Sequence, residues 1–456
     1  MSEQNVNIVE SWVVDAAAEE TSLEAKQPYV NNGAEKLNPE RYYSNEFMQL
    51  EWQELWTRVW LIAAVENDLP EPGDYSLFRI RKEEIVIVRQ DDGSVKAFYN
   101  VCPHRGNRLI FSDRGTLAQF TCAFHSWRFG LDGGLQQITD EETFRQQVIS
   151  HRPCLREVRC ESKAGIIFIN MDEKAPPLAE RIGLPDGYLE QYDLDKMYVV
   201  RHVVSEWGAN WKTGVDAFYE TYHLHVVHPE TQGVMADIGT QYDLYPHGAS
   251  RMIVPIGCKS PRVGDQESLG EGLTYMLRSL GMDPEKFAGN AGEVRQALAR
   301  RKRERSEKLG FDYTQFTDGQ LTDSWATGLF PNVQIGMHPE GCFLMRFMPH
   351  PTDPERFYYD TMTLFRPAND PGYKAPDWMG IPEGVDLSGK NRPDTEYVSI
   401  GEPANLGLVL DQDAHLLPYV QAGIKSRGFS GALWGEQEQR LRHFHKEVDR
   451  YINGEK

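Results

Sequence analysis

Apolar positions change their rhythm several times along the chain. The first 40 residues are polar and acidic without clear periodicity, which predicts a loosely packed lead-in. From Ser44, apolar residues recur at helical spacing (Phe47, Leu50, Leu55, Trp56, Val59, Trp60), with Ser44 or Asn45 as cap. The run Leu69-Pro70-Glu71-Pro72-Gly73-Asp74 breaks that pattern. Glu84–Arg89 and Val95–Tyr99 then read as strands of a hairpin joined through Asp91-Asp92-Gly93. Strand-like pieces recur as far as Gly165–Asn170, so 66–185 reads as a small all-β domain closed off by Pro176-Pro177 and Gly183-Leu184-Pro185. Beyond it the pattern predicts a helix around Trp211–His225 and another over Glu293–Lys308. Antiparallel strands at Val333–Met337, Cys342–Met348 and Phe357–Phe365 follow, and then an amphipathic helix over Trp434–Tyr451. Ser260–Asp323 reads as a lid or entrance element.

Composition narrows the function classes. The 456 residues carry 48 Lys+Arg against 68 Asp+Glu, a formal charge of −20, which repels nucleic acid and anionic membrane surfaces. The basic run Ala299–Lys308 is the local exception, either a solvated helix face or a docking patch for an acidic partner. No apolar stretch reaches membrane-spanning length, and the first residues lack a signal-peptide pattern, so a cytoplasmic location is expected. Six cysteines are too few for a disulfide scaffold, but two of them sit beside histidines.

Cys102-Pro103-His104 is followed, after seventeen residues, by Cys122-Ala123-Phe124-His125. Each clip delivers one thiolate and one imidazole from a single tight loop. Zinc sites usually group cysteines with cysteines and histidines with histidines. A Rieske [2Fe–2S] centre instead has two cysteines on one iron and two histidines on the other, so mixed clips suit it, because each loop then touches both irons. Cys102–Asn107 together with Cys122–Phe129 resembles the cluster-binding loops of the Rieske non-heme iron oxygenases. The resemblance extends over the β-domain and implies Cys102, His104, Cys122 and His125 as cluster ligands.

A cluster that moves single electrons leaves about 270 residues unexplained. Three histidines, His223, His225 and His228, stand within six positions, with acids upstream. Spacing leaves the binding pair open: His225 and His228 share a helical face, whereas His223 and His228 meet only if the helix ends or bulges between them. A carboxylate would complete a site with open positions for dioxygen and substrate, and Asp411 and Asp413 are the candidates. The resemblance narrows these choices. Glu220-x-x-His223-x-x-x-x-His228 is similar to the family's iron-binding motif, Gln412-Asp413 with Gln421-x-Gly423 to its C-terminal ligand segment, and Asn210-Trp211-Lys212 also matches. It implies His223, His228 and Asp413 as ligands of a mononuclear Fe(II), with Glu220 and Asn210 as catalytic residues. Many members carry Asp where Glu220 stands. By resemblance that acid links His223 to the partner subunit's His125, and glutamate there resembles the branch acting on quaternary ammonium compounds.

The resemblance implies an α+β fold: an all-β Rieske domain (66–185) inserted in a helix-grip catalytic domain (186–456), with 1–65 as an N-terminal arm and helices packing on the latter. It further implies a terminal oxygenase that hydroxylates a small organic substrate, aromatic as the first expectation, with O2 and electrons from NAD(P)H. The alternative is a monooxygenase that demethylates or hydroxylates a quaternary ammonium compound; the remote one is a Rieske electron carrier with a ligand-binding domain. No GxGxxG in a strand–helix setting occurs, so electrons are expected from a separate reductase, directly or through a ferredoxin. A homo-oligomer, a trimer or a multiple of three, is implied.

Overall fold

The computed structural model describes residues 23–370, 373 and 380–456, and the chain divides into two compact units. One is formed by Glu51–Arg181 with Asp193–Tyr198; the other holds the chain up to Leu50, Ile182–Tyr192 and Val199–Lys456. The β-unit thus interrupts the larger one in sequence, as an inserted domain does. The part of the lead-in before residue 23 lies outside the described residues.

The β-unit contains a seven-stranded sheet in the order β1-β10-β9-β4-β3-β2-β5 and a three-stranded sheet β6-β7-β8. Its strands are β1 (Leu61–Val65), β2 (Asp74–Ile80), β3 (Glu83–Arg89), β4 (Val95–Tyr99) and β5 (Arg114–Thr116). They continue with β6 (Phe120–Thr121), β7 (Arg128–Phe129), β8 (Leu135–Gln137), β9 (Glu157–Lys163) and β10 (Ile166–Asn170). The expected hairpin is present: β3 pairs with β4, and Asp92 closes the turn by accepting from the Ser94 backbone N–H at 2.9 Å and hydroxyl at 2.6 Å. Val86 and Val88 of β3 pack with Phe98, Phe120, Trp127, Phe129 and both cluster-loop cysteines in one core.

The boundary differs from 66 for a physical reason. The helix expected from Ser44 forms as α1 (Asn45–Glu51) and one wider turn, Trp52–Trp56, and stops there. Leu61–Val65 is apolar at every position, and such a run cannot be told from a buried helix by periodicity. It pairs with β10 and is buried throughout, which carries 51–65 into the β-unit.

The larger unit is organised on an eight-stranded sheet, β12-β13-β14-β15-β16-β17-β11-β18. Its strands are β11 (Tyr198–Trp207), β12 (Gln241–Leu244), β13 (Ser250–Val254), β14 (Ser324–Leu329), β15 (Val333–His338), β16 (Gly341–Pro349), β17 (Phe357–Phe365) and β18 (Glu396–Val398). The helices that matter are α2 (Trp211–Phe218), α3 (Leu224–Val227), α4 (Gly270–Ser279), α5 (Val294–Leu309), α6 (Leu408–Ile424) and α7 (Gln439–Ile452). The sheet grips α7 as expected: fully buried Arg440 donates to the Ser250 hydroxyl on β13 and the Gln334 amide oxygen on β15. Residues 23–27 are not a loose arm. Arg251 donates to the carbonyls of Leu23, Glu24 and Ala25, and the Gln27 N–H donates to Asp243.

Within 260–323, Leu273 and Leu277 of α4 and Val294 and Leu298 of α5 form a small core of their own. Most of the basic residues on α5 are paired. Arg295 pairs with Asp323, Arg301 with Glu304, Lys302 with Glu340, Arg303 with Asp318 and Lys308 with Asp370. Among the described residues no helix is long and apolar enough to cross a membrane.

Candidate functional site

The two Cys/His clips fold into the same loop. The Cys102 N–H donates to the Asn107 carbonyl at 2.8 Å, and the Gly106 N–H returns to the Cys102 carbonyl at 2.9 Å. Cys122 repeats both bonds with Trp127 and Ser126, at 2.9 Å each. Gly106 and Ser126 occupy the same place in their loops with φ of +76° and +57°. The cysteines are buried and the histidines half-exposed, so the thiol side faces the core and the imidazole side faces outward. His104 and His125 lie with ring centroids 4.7 Å apart, and Trp127 stacks flat on His104 at 4.6 Å.

This donor set fits a Rieske cluster. His125 Nδ1 is buried without a hydrogen-bond partner among the described residues, a ring nitrogen left for a metal. Burial, with Cys122 adding to it, pushes the Cys102 thiol up to about 11. At Cys122 burial is outweighed by the backbone N–H groups of Phe124 and His125, and its thiol falls below the usual value. Such N–H groups aimed at sulfur favour the ligating thiolate. Burial, then the neighbouring His125 and Arg105, lowers the pKa of His104 and keeps it in the neutral form that binds metal.

The second site forms where the expected helix breaks. α2 stops at Phe218, and the Glu220 carboxylate accepts the backbone N–H groups of Tyr222 and His223. One short turn, α3, follows, with His223 at its N-cap and His228 at its C-cap. On a continuous helix five residues separate two side chains by about 140°. Ending the helix on both sides of α3 lets the two rings meet, with centroids 5.1 Å apart.

The carboxylate arrives on α6, a helix and not the solvated loop its composition suggests. Asp413, Leu417, Gln421 and Ile424 are its buried residues. Gln421 fastens it: its amide oxygen accepts the Asn210 N–H at 2.9 Å and its amide donates to the Tyr42 carbonyl at 3.0 Å. Asp413 Oδ1 then lies 3.2 Å from His228 Nε2 and 3.9 Å from His223 Nε2. These three residues offer ligand atoms within 4.8 Å of one another; exposed Asp411 and half-buried His225 are outside the set.

Outer contacts choose the tautomers. His223 Nδ1 is held by Glu220 at 2.5 Å and His228 Nδ1 by the Gln412 amide oxygen at 2.6 Å. Both Nε2 atoms are thereby left as lone-pair donors toward Asp413. His228 Nε2 is buried and, among the described residues, faces only the Asp413 carboxylate without a well-formed hydrogen bond, an arrangement that a metal between them would satisfy. Two imidazoles and one carboxylate on one side fit non-heme Fe(II).

Asn210, expected as a catalytic residue, is engaged in structure. Its side chain caps α2 by accepting the Lys212 N–H at 3.0 Å and donates to the Pro354 carbonyl at 2.6 Å, so both ends are engaged in holding backbone. Sequence reasoning passed over the role of Gln412, although it adjoins Asp413, and of Trp127, whose only signal was its place in the second loop.

The sequence profile of the ring hydroxylating alpha subunit (catalytic domain) matches residues 194–454, more than half of the chain, and that of the Rieske [2Fe-2S] domain matches residues 59–152. The chain is similar to the glycine betaine monooxygenase oxygenase subunit of Pseudomonas aeruginosa, 30% identical over 42% of this chain and 44% of that one. It is 34% identical to the carnitine monooxygenase oxygenase subunit of Acinetobacter baumannii over 41% and 51%. It is 31% identical to the large oxygenase component of naphthalene 1,2-dioxygenase of Ralstonia sp over 56% and 60%. The chain thus spans about half the length of the curated relatives it matches. A quaternary ammonium Rieske monooxygenase in complex with L-carnitine shares the fold, with a TM-score of 0.63, 20% identity and coverage of 92% of this chain and 97% of that one.

Proposed function

The chain belongs to the ring-hydroxylating alpha-subunit family, and we propose on that basis that it is the terminal oxygenase component of a multicomponent Rieske oxygenase. The observation that carries this reading is the convergence of His223, His228 and Asp413 in a chain that also holds the double Cys/His loop. Cys102, Cys122, His104 and His125 would hold the cluster, and His223, His228 and Asp413 the mononuclear iron.

When bound, the two groups supply one-electron transfer and dioxygen activation respectively. The residues themselves do the rest. Glu220 and Gln412 fix the two imidazoles with Nε2 inward. Trp207, Phe218, Phe347, Phe357 and Tyr359 pack as one aromatic cluster, with the rings of Trp207 and Tyr359 4.6 Å apart. Glu220 uses one carboxylate oxygen on His223 and is proposed to reach the partner subunit's His125 in an assembly of three or a multiple of three. Electrons would come from NAD(P)H through a separate reductase, directly or by way of a ferredoxin, in the cytoplasm.

A small aromatic compound is the first substrate reading. A quaternary ammonium compound is the second, favoured by Glu220 in place of the commoner aspartate. The test combines composition and product. Purified protein should contain about three irons and two labile sulfides per chain. With NADH, O2 and a family reductase it should oxidise a member of a panel of naphthalene, benzoate, glycine betaine and L-carnitine. Iron restricted to the cluster after reconstitution would overturn the reading in favour of an electron carrier.

A further inference from the structure

Glu220 and His223 follow directly on the end of α2, so their placement depends on how that end is held. Asp216 lies in the last turn of α2, where a carboxylate meets the negative end of the helix and is unfavourable. Two buried groups engage it. The Tyr42 hydroxyl donates to its Oδ2 at 2.7 Å, and His445 Nε2 lies 2.9 Å from its Oδ1. Tyr42 comes from the N-terminal segment and fully buried His445 from α7. One carboxylate thus ties α2 to side chains 174 and 229 residues away.

The neighbours of His445 decide its protonation. Arg41 Nη1 stands 3.1 Å from Nδ1, and a guanidinium can only donate. Nδ1 is therefore bare, the proton of the neutral ring sits on Nε2, and Nε2–H donates to Asp216. Arg41 is itself held by Asp449 at 2.8 Å, and Trp434 stacks on the imidazole with centroids 5.2 Å apart. Lys212 also faces the group, its Nζ 5.7 Å from the Tyr42 ring centroid, and Glu438 acts on Asp216 from the turn before α7. Burial, then Asp216, pushes the Tyr42 hydroxyl well above its usual range, so it stays a donor. A second proton on His445 could enter only at Nδ1, against Arg41. Burial first, opposed by Asp216 and reinforced by Arg41 and Lys212, lowers the His445 pKa, in the direction this geometry requires.

We propose that neutral His445 is a positioning residue of the iron site, acting through Asp216 on the end of α2. The inference rests on the iron-site reading above. Asp216 precedes Glu220 by four residues, about one helical turn. Glu220 ends the helix by taking the Tyr222 and His223 N–H groups, and it also holds His223 Nδ1. A last turn free to rotate would carry Glu220 with it and spoil the aim of His223. The clasp disfavours the second proton on His445. Its stabilisation is therefore whole above the ordinary histidine value of 6.5 and is lost as the pH falls through the lowered one.

His445→Gln keeps both bonds without the titration, its amide N–H donating to Asp216 and its amide oxygen accepting from Arg41. His445→Leu keeps neither. The full-length protein is stripped of mononuclear iron with the cluster retained and titrated anaerobically at about pH 7.5. Fe(II) should bind about 2- to 30-fold more weakly to His445→Leu and within about twofold of wild type to His445→Gln. Equal losses in the two variants, or none in either, would overturn the proposal. Lowering the pH to about 5.5 protonates the ligands and weakens wild type and His445→Gln alike. The wild type should lose about 3- to 10-fold more, the share of one histidine titration; a constant ratio also overturns the proposal. A third measurement needs no variant. Neutron diffraction from deuterated wild-type crystals near pH 7.5 should place a deuteron on His445 Nε2 and none on Nδ1, and a deuteron on Nδ1 rules the clasp out. Asp413→Ala, run in parallel, separates the two readings. If it retains Fe(II), the ligand assignment itself fails; if it loses Fe(II) while both His445 variants bind as the wild type does, only the positioning role fails.

Discussion

The two candidate metal-binding regions draw on nearly the same inventory, two histidines with one or two anionic residues, and assemble it by opposite means. The cluster loops are local. Each closes on itself through two backbone hydrogen bonds within six residues, and the second copies the first bond for bond. The iron site is long-range. Two histidines flank one turn of helix, and their carboxylate and the Gln412 amide come from a helix some 184 residues further on. A local loop holds its ligands as soon as it forms. A long-range site depends on a helix break, made by Glu220, and on an anchor for the carboxylate's helix, Gln421.

The sharpest way to break that comparison is to remove one site and ask whether the other notices. Replacing His223 or Asp413 by Ala should abolish mononuclear iron binding and turnover, with [2Fe–2S] absorption and EPR at wild-type intensity. Replacing Cys122 by Ser should do the reverse, bleaching the cluster while Fe(II) or Co(II) titration still finds one strong site. Loss of both centres from either variant would show that the sites do not form independently.

A smaller effect is expected one layer out, and only at the long-range site. Gln412→Leu leaves His228 Nδ1 without its acceptor at 2.6 Å and should weaken Fe(II) binding about 10- to 100-fold. Glu220→Gln retains a hydrogen-bonding oxygen but loses the charge that holds His223 Nδ1, so Fe(II) binding should weaken less than in Gln412→Leu. It should in addition slow single-turnover electron delivery from a pre-reduced cluster with both metals still bound. An unchanged transfer rate would remove Glu220 from the electron path while leaving its capping role intact.

The same contrast explains what was legible in the sequence. The cluster loops were readable because their information is local: ligand type, spacing and glycine lie in one window. The Glu83–Arg89 and Val95–Tyr99 hairpin was readable for the same reason. Trp211–His225 has continuous helical character, and nothing in its apolar pattern announces a stop at Phe218. The stop is made by a side chain, Glu220, taking backbone donors that helix continuation would use. Choosing Asp413 over Asp411 required the resemblance, because burial of one acid and exposure of the other is set by how α6 packs, which Gln421 decides. The capping role of Asn210 was not legible because a cap and a catalytic amide look alike as letters.

The smallest predicted effect tests how local the cluster loops are. Gly106 and Ser126 fill equivalent positions, both left-handed, yet only one is glycine. Adding a Cβ at Gly106 meets nothing within 4 Å, so Gly106→Ala carries backbone strain alone and should destabilise by about 1 kcal/mol. Ser126 already bears that strain. Ser126→Gly relieves it but gives the unfolded chain more freedom, and the two terms oppose each other, leaving a net change within about 0.5 kcal/mol. Thermal bleaching of the oxidised cluster reads both variants against the wild type. A loss at Gly106 with near silence at Ser126 is what two equivalent, self-contained loops require. Equal losses would mean that the serine side chain, and not the turn, holds the second clip.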